Sequence, residues 1–210
     1  MNDGFIAFWL LSMAFILYAT GWKEQVAEGM SSRMLGLFIL GALLLHVAEL
    51  TIRDSILLTG SAALAIAVAI FQLVRIRYFG SMLFVFFSAL LTGFMWMWVR
   101  YIYGMDPVFI ALNPAWDGPL LAGLFAGLLA DRFRSQFVIA VFAAVLSQLD
   151  LLISPLVITK QMMIGSPAWW DGLVIALTAA RVTGNAKNWL KQKAVRFVEG
   201  RAGEERGGNL

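Results

Sequence analysis

Seven long apolar runs alternate with short polar segments along the chain. Within each run the apolar residues follow one another without a polar residue at every second position, which is typical of helices rather than of barrel strands. A membrane-spanning helix needs about 20 mostly apolar residues. We therefore predict an all-α fold, a polytopic bundle of seven transmembrane helices. The runs cover residues 4–20, 34–49, 55–74, 80–101, 118–130, 135–154 and 168–183.

Two of these runs are short for a full span. We expect the fifth helix to begin inside residues 107–116, with Pro114 in its first turn. We expect the seventh helix to continue past Arg181, because arginine has a long aliphatic stem that can carry its charge to the lipid headgroups. The first run has no basic residue before it, and Tyr18-Ala19-Thr20 is a poor cleavage site. We therefore expect this run to be retained as a helix.

The composition excludes several classes of protein. Of the 210 residues, 60% are hydrophobic and 14% are charged, whereas soluble domains have about 25% charged residues. The composition therefore argues against a water-soluble enzyme. Cysteine is absent and histidine occurs once, which excludes disulfides, thiolate nucleophiles and metal sites built from several cysteines or histidines. We predict no catalytic residue, no metal site, no cofactor and no nucleic-acid partner.

The basic residues are distributed unevenly over the predicted connections. Lysine and arginine accumulate on the cytoplasmic side of membrane proteins. With seven spans and an outer N-terminus, 13 of the 16 basic residues fall on inner segments, and the other three are Arg53, Arg100 and Lys160. We therefore predict that the N-terminus lies outside and that the C-terminus lies in the cytoplasm.

Small residues are concentrated in the fifth run, where they recur at a spacing of four. Lipid tails are as apolar as leucine, so membrane helices associate through the close packing of small residues. We predict a helix-packing face here, and the alternative is a docking face for another membrane subunit. The face consists of Gly118, Ala122, Gly123, Ala126 and Gly127.

The segment after the seventh run is amphipathic. We divide the chain into a transmembrane domain at residues 1–184, a cytoplasmic interfacial helix at residues 185–199 and a disordered tail at residues 200–210. The interfacial helix places apolar and basic residues on different faces, which is typical of a helix held by anionic lipid at the membrane surface. Its anchoring residues are Lys187, Trp189, Lys191 and Phe197. The alternative is that this helix binds a protein partner.

Five ionisable residues are predicted to lie near the outer ends of the helices. Such groups are costly within a membrane, which makes them candidates for function. His46 and Glu49 lie three residues apart in the second run, so they would share one helix face. We predict an outward-facing polar pocket that could bind a small solute or a lipid headgroup. Its candidate residues are His46, Glu49, Arg100, Asp150 and Asp171.

Asp150 is the most informative residue of this candidate pocket. Apolar residues follow it up to Pro155, so we expect it to lie below the membrane surface with Arg100 or His46 as its partner. The alternative is that each charged residue lies separately at the interface, among an ordinary belt of tryptophans. A paired-carboxylate site of Asp150 and Asp171 would require the two to be close, which their spacing does not demand.

Three short stretches carry a resemblance to a known family. They are Gly-Met-Asp-Pro-Val at residues 104–108, Leu-Ala-Asp-Arg-Phe at residues 129–133, and Gly165-Ser166 with Trp170-Asp171. With them the chain resembles the YphA-like family of multi-pass membrane proteins of spore-forming Gram-positive bacteria. The resemblance implies a location in the bacterial plasma membrane and no established activity. Residues 118–131 are also similar to a small-residue helix in the substrate-binding subunits of vitamin transporters, which have fewer spans.

These observations favour a non-enzymatic membrane protein of the bacterial cell envelope. The leading hypothesis is a scaffold or accessory subunit whose partners are the lipid bilayer and another membrane protein or a second copy of the chain. The alternative is a membrane subunit that binds or transports a small solute or lipid headgroup through the outer polar pocket.

Overall fold

The computed structural model describes residues 2–53, 56–149 and 162–207, and most of this part of the chain is helical. In the described residues there are eight α-helices. They are α1 (Phe5–Ala19), α2 (Lys23–Ala27), α3 (Ser32–Leu45), α4 (Gly60–Val74), α5 (Phe79–Met105), α6 (Asp117–Leu129), α7 (Phe133–Leu146) and α8 (Pro167–Gly207). Short 3-10 helices follow α5 and α7, at Pro107–Phe109 and Ser147–Leu149.

Each of the seven predicted runs overlaps one of the long helices, and the short helix α2 lies in the connection between the first two runs. Only α5, with 27 residues, is long and apolar enough on its own to cross a membrane among the helices described. The helices α1, α3, α4, α6 and α7 have 13–15 residues. At 1.5 Å per residue they are about 20–22 Å long, shorter than a hydrocarbon core of about 30 Å.

A small sheet departs from the all-helical prediction. Its strands are β1 (Glu49–Arg53), β2 (Ile56–Thr59) and β3 (Met162–Ile164), in the order β1-β2-β3. β1 and β2 are antiparallel, and β2 and β3 are parallel. The prediction failed at β2 because periodicity does not distinguish a short apolar run in a strand from one in a helix. β1 and β3 lie almost entirely in connections between the predicted spans. The strands satisfy one another's backbone N–H and C=O groups by pairing.

Two predicted helix boundaries are wrong. The second long helix, α3, ends at Leu45 with His46 as its C-cap, and Glu49 begins β1, so these two residues do not share a helix face. The helix of the fifth run begins at Asp117 and not inside residues 107–116. Pro114 disfavours helical conformation in the residue before it, and it lies in the turn that precedes α6.

The C-terminal segment also differs from the prediction. α8 continues without a break from Pro167 to Gly207, so residues 185–199 are not a separate helix and residues 200–207 are helical rather than disordered. No proline follows Pro167, and the segment is rich in Ala, Lys, Arg and Glu, which favour helix. Residues 208–210 lie outside the described part of the chain.

The residue pairs at which glycines closely approach neighbouring helices show whether two helices run parallel or antiparallel. A Cβ atom added to Gly127 would lie 2.6 Å from the carbonyl oxygen of Ala180, and one on Gly123 would meet the carbonyl oxygen of Ala176, so α6 and α8 are parallel. In α7, Gln136 lies against Gly184, near the later part of α8. Ala144 accepts a hydrogen bond from the indole of Trp169 at 3.0 Å, so α7 and α8 are antiparallel.

Candidate functional site

The hydrogen bonds of His46 and Asp171 are made with residues outside the predicted outer polar pocket. His46 is exposed, and its Nδ1 lies 3.5 Å from the buried Ser61 hydroxyl. Glu49 is exposed on β1, and Arg100 is half-buried near the end of α5. Asp171 contacts α1. Asp150, the central residue of the hypothesis, lies outside the described residues. A single shared pocket therefore stays a prediction.

Asp171 holds the beginning of α1. Its two carboxylate oxygens accept hydrogen bonds from the backbone N–H groups of Gly4, at 2.7 Å, and Ala7, at 2.6 Å. The first N–H groups of a helix have no partner within the helix, and the helix dipole favours a negative charge at this end. Asp171 therefore caps α1 from a helix that lies 167 residues away in sequence.

Replacing Asp171 by asparagine should loosen the start of α1. An asparagine lacks the negative charge and has one carbonyl oxygen, so it can hold at most part of this cap, at a cost of about 1 kcal/mol. Hydrogen exchange of the amides at residues 4–8 should become faster in the variant. Asp106→Asn is the matched control, because Asp106 caps the 3-10 helix through the N–H of Val108. If Asp171→Asn leaves exchange at residues 4–8 unchanged, this role for Asp171 is wrong.

Arg181, which lies further along α8 than Asp171, binds the backbone of α2. Its guanidinium donates to the carbonyl oxygens of Gln25, at 3.0 Å, and Glu24, at 2.7 Å. The same group lies 3.9 Å from the carboxylate of Glu28 and 5.6 Å from the ring centre of Phe133. Only 9% of the residue is exposed. The prediction that Arg181 extends to the lipid headgroups is therefore wrong, because the last carbonyls of α2 need a donor.

Gln136 completes this second contact from α7. It is fully buried, and its side-chain oxygen lies 3.4 Å from Arg181 Nη1. Its Nε2 donates to the carbonyl oxygen of Ala130 at 2.9 Å. Asn185, one turn after Arg181, donates to Gln25 as well, at 3.1 Å. We call Asp171 with α1 the first clamp, and Arg181, Gln136 and Asn185 with α2 the second clamp.

Two of the predicted anchoring residues bind the protein itself. Lys187 lies 2.7 Å from the Asp131 carboxylate and donates to the carbonyl oxygen of Leu128 at 2.8 Å. Lys191 lies 3.8 Å from the same carboxylate. Trp189 is exposed, and the ammonium of Lys193 lies 3.9 Å from the centre of its ring. The side chain of Phe197 is outside the described part of the structure.

The Asp131 contact makes a pH-dependent contribution to stability. The hydrogen bond from Lys187 lowers the pKa of the Asp131 carboxyl from its ordinary value of 3.8. The contribution is therefore fully present above pH 3.8 and is lost as the pH falls through the lowered pKa. Because Asp131 is more than half exposed, we expect less than about 1 kcal/mol. Asp131→Asn should reduce the difference between the thermal midpoints at pH 7 and pH 2.5. An unchanged difference would contradict this role of Asp131.

The small-residue face of α6 lies within the bundle. Gly118 of α6 and Gly172 of α8 both lie against the buried indole of Trp96. Gly123 and Gly127 contact the backbone of α8, and Ala122 and Ala126 are buried. This face therefore packs against helices of the same chain, and its close contacts leave no space for a side chain at these glycines.

Asp117 is a further polar residue that the sequence did not single out. It begins α6 and is buried, and it accepts hydrogen bonds from the hydroxyl of Tyr103 at 3.0 Å and from the N–H of Leu112 at 3.0 Å. It also accepts from the N–H of Ala111 at 3.2 Å. The residue thus fixes the connection between α5 and α6. Among the described residues, no three histidines, aspartates or glutamates lie close enough to hold a metal ion.

An apolar groove of about 630 Å³ runs along α8 between α1 and α6. We call it the α1–α6–α8 groove. Phe5 and Trp9 line it from α1, and Leu120 and Leu124 line it from α6. Ile175 and Val182 line it from α8. The groove lies beside the two clamps, and no sequence pattern predicted it because its walls come from three separate parts of the chain.

The comparisons with known proteins give one family and no individual relative. The family model described as YphA-like integral membrane protein matches residues 3–206. No curated protein and no solved structure matches the chain. The match covers nearly the whole chain, including all the long helices and both clamps.

Proposed function

Because the chain belongs to the family of YphA-like integral membrane proteins, we propose that it is a seven-span, non-enzymatic scaffold or accessory subunit of the bacterial plasma membrane. The observation that carries this proposal is the use of the buried polar groups. Asp171 and Arg181 bind backbone groups of α1 and α2, and Gln136 binds Arg181 and Ala130. These groups stabilise helix contacts, which is the chemistry of a structural membrane protein.

The helix directions support seven spans. Consecutive spans must run in opposite directions, and spans separated by one must run in the same direction. α6 and α8, in the fifth and seventh runs, are parallel, and α7 between them is antiparallel to α8. α3 and α4 are antiparallel as well, since Gly41 lies against Leu64 and Gly60 lies against Leu45. The short helices would then reach both surfaces together with their flanking segments, or within a locally thinner bilayer.

The proposed topology can be tested by labelling single cysteines. The chain contains no cysteine, so each introduced thiol is unique. In intact cells, a membrane-impermeant maleimide should label Asp3→Cys and Ala111→Cys. It should label Tyr78→Cys and Gly207→Cys only after the membrane is permeabilised. Labelling of Tyr78→Cys and Gly207→Cys in intact cells, with Asp3→Cys and Ala111→Cys labelled only after permeabilisation, would overturn the proposed orientation.

The scaffold role can be tested by the mass of the purified complex. In mild detergent, light scattering should give a protein mass above the 23.2 kDa of one chain, with a fixed ratio of the chain to its partner or second copy. The variants His46→Ala and Glu49→Gln should retain this mass and should complement a deletion strain. If they keep the mass but lose complementation, the polar-pocket hypothesis replaces the scaffold hypothesis. A monomer that complements fully also contradicts the scaffold role.

A further inference from the structure

The walls of the α1–α6–α8 groove are held in place from both sides. The first clamp fixes the start of α1 to α8, and the second clamp fixes α2, which follows α1, to a later turn of α8. On the other side, Gly123 and Gly127 pack α6 directly against the α8 backbone. α1 and α6 therefore keep their separation, and the groove between them persists as part of the folded structure.

The size of the groove is that of a ligand site. Its volume is about 630 Å³. Ligand sites commonly have about 300–1,000 Å³. Ile175 and Thr183 both line the groove, and they are about 12 Å apart along the helix. This distance is close to half of a hydrocarbon core of about 30 Å, which is the depth of one leaflet.

The chemistry of the lining favours an apolar occupant such as a hydrocarbon chain. Apolar side chains form the groove apart from the hydroxyls of Thr178 and Thr183. Thr178 is exposed along the groove. Aliphatic and aromatic side chains offer contacts to methylene groups, each of which contributes about 0.8 kcal/mol when it is buried. A polar solute would lose its hydration here without gaining partners.

The same face of α8 leads from the groove to a basic residue. Residues 18 apart lie five turns apart on one helix face, so Lys193 shares the face of Ile175. Side chains on a helix point toward its N-terminus, and the Lys193 ammonium accordingly lies 3.9 Å from the ring centre of Trp189. Lys187 and Lys191 bind Asp131 instead. Residues 184–196 contain four basic residues and no acidic one.

We propose that the α1–α6–α8 groove binds one acyl chain of an anionic phospholipid whose phosphate lies beside Lys193 and Trp189. The groove supplies the apolar contacts, and Lys193 supplies the charge that complements the phosphate. This site goes beyond the scaffold role and does not depend on it, since it requires only that α8 is embedded in a membrane. Lipid headgroups with a net negative charge attract basic residues next to a membrane segment.

The proposal can be tested by native mass spectrometry of the full-length protein in detergent. We expect the delipidated wild type to bind one dioleoyl phosphatidylglycerol before it binds dioleoyl phosphatidylcholine. Thr178→Trp fills the groove and should lower the occupancy about tenfold or more. Lys193→Gln should lower the preference for phosphatidylglycerol about fivefold. The matched controls are Leu91→Trp, on the exposed face of α5, and Lys191→Gln, which removes a charge bound to Asp131.

Three results would overturn the proposal. They are equal occupancy in Thr178→Trp and wild type, equal binding of the two lipids by wild type, and an effect of Lys191→Gln as large as that of Lys193→Gln. A photoreactive phenylalanine at position 178 provides a second measurement in native membranes. Cross-links to phospholipid would support the site, whereas cross-links to a second copy or to another protein would show that a protein occupies the groove. The wild-type comparison of the two lipids stays decisive if Thr178→Trp does not fold.

Discussion

Substitution of Gly123 by leucine is expected to destabilise the folded protein by about 3 kcal/mol, at the upper end of the usual cost of overpacking. A Cβ atom at this position would meet the carbonyl oxygen of Ala176 and the Cβ atom of Ala179 in α8. A backbone oxygen cannot turn away as a long side chain can, so α6 and α8 would have to separate along their whole contact. The free energy of unfolding in mixed detergent and dodecyl sulfate micelles measures this cost.

Gly104→Leu is the matched control for Gly123→Leu. Gly104 lies in α5 and is exposed, and a Cβ atom there would meet nothing within 4 Å. Leucine stabilises a helix relative to glycine by up to about 1 kcal/mol, so the control should be neutral or slightly stabilising. Equal effects of the two substitutions would show that α6 and α8 do not pack through Gly123.

Replacing Arg181 by methionine is expected to cost a similar amount, about 3 kcal/mol. Methionine fills part of the space but donates no hydrogen bond. The side-chain oxygen of the buried Gln136 then loses the donor that the structure gives it, and a buried acceptor without a partner costs about 1–3 kcal/mol. The carbonyl oxygen of Glu24, an exposed residue, loses its donor as well. The carbonyl oxygen of Gln25 keeps the bond from Asn185. Detergent unfolding gives the total cost, and hydrogen exchange at residues 23–29 locates it.

Lys191→Met removes the same charge from an exposed position of the same helix. Its ammonium lies 3.8 Å from Asp131, and its side chain is 63% exposed, so the loss should be less than about 1 kcal/mol. Arg181→Lys should fall between the two, because one ammonium cannot reach all the acceptors that a guanidinium binds. An Arg181→Met variant as stable as Lys191→Met would show that the second clamp does not stabilise α2.

The sequence predicted the long helices because their apolar runs are local signals. Each run overlaps one long helix, and the GxxxG pair of Gly123 and Gly127 lies at a close helix contact. Strand residues 56–59 were missed because they lie in a continuous apolar run, where helix and strand look alike. Residues 50–53 were missed because they fall in the short connection before that run. Pairing with Met162–Ile164, more than 100 residues later in the chain, decides between helix and strand.

The clamps could not be predicted for a related reason. Asp171 and Gly4 are 167 residues apart, and Arg181 and Glu24 are 157 residues apart, so no local spacing links them. The sequence does show that Asp171 and Arg181 are charges within an apolar run. It cannot show that their partners are backbone groups, because every residue offers the same carbonyl and N–H groups. The sequence alone therefore cannot distinguish an arginine that is buried against backbone carbonyl groups from an arginine that extends to the lipid headgroups.

Both clamps join segments that are synthesised far apart in time, since their partners are separated by 167 and 157 residues. At about 5–20 residues per second, α1 is made roughly 8–30 s before the ribosome has made Asp171 and Arg181. During that interval the N–H groups of Gly4 and Ala7 have no carboxylate to bind. A nascent chain that stops before residue 167 leaves α1 with neither clamp, so attachment of α1 through both clamps requires that translation has passed residue 181.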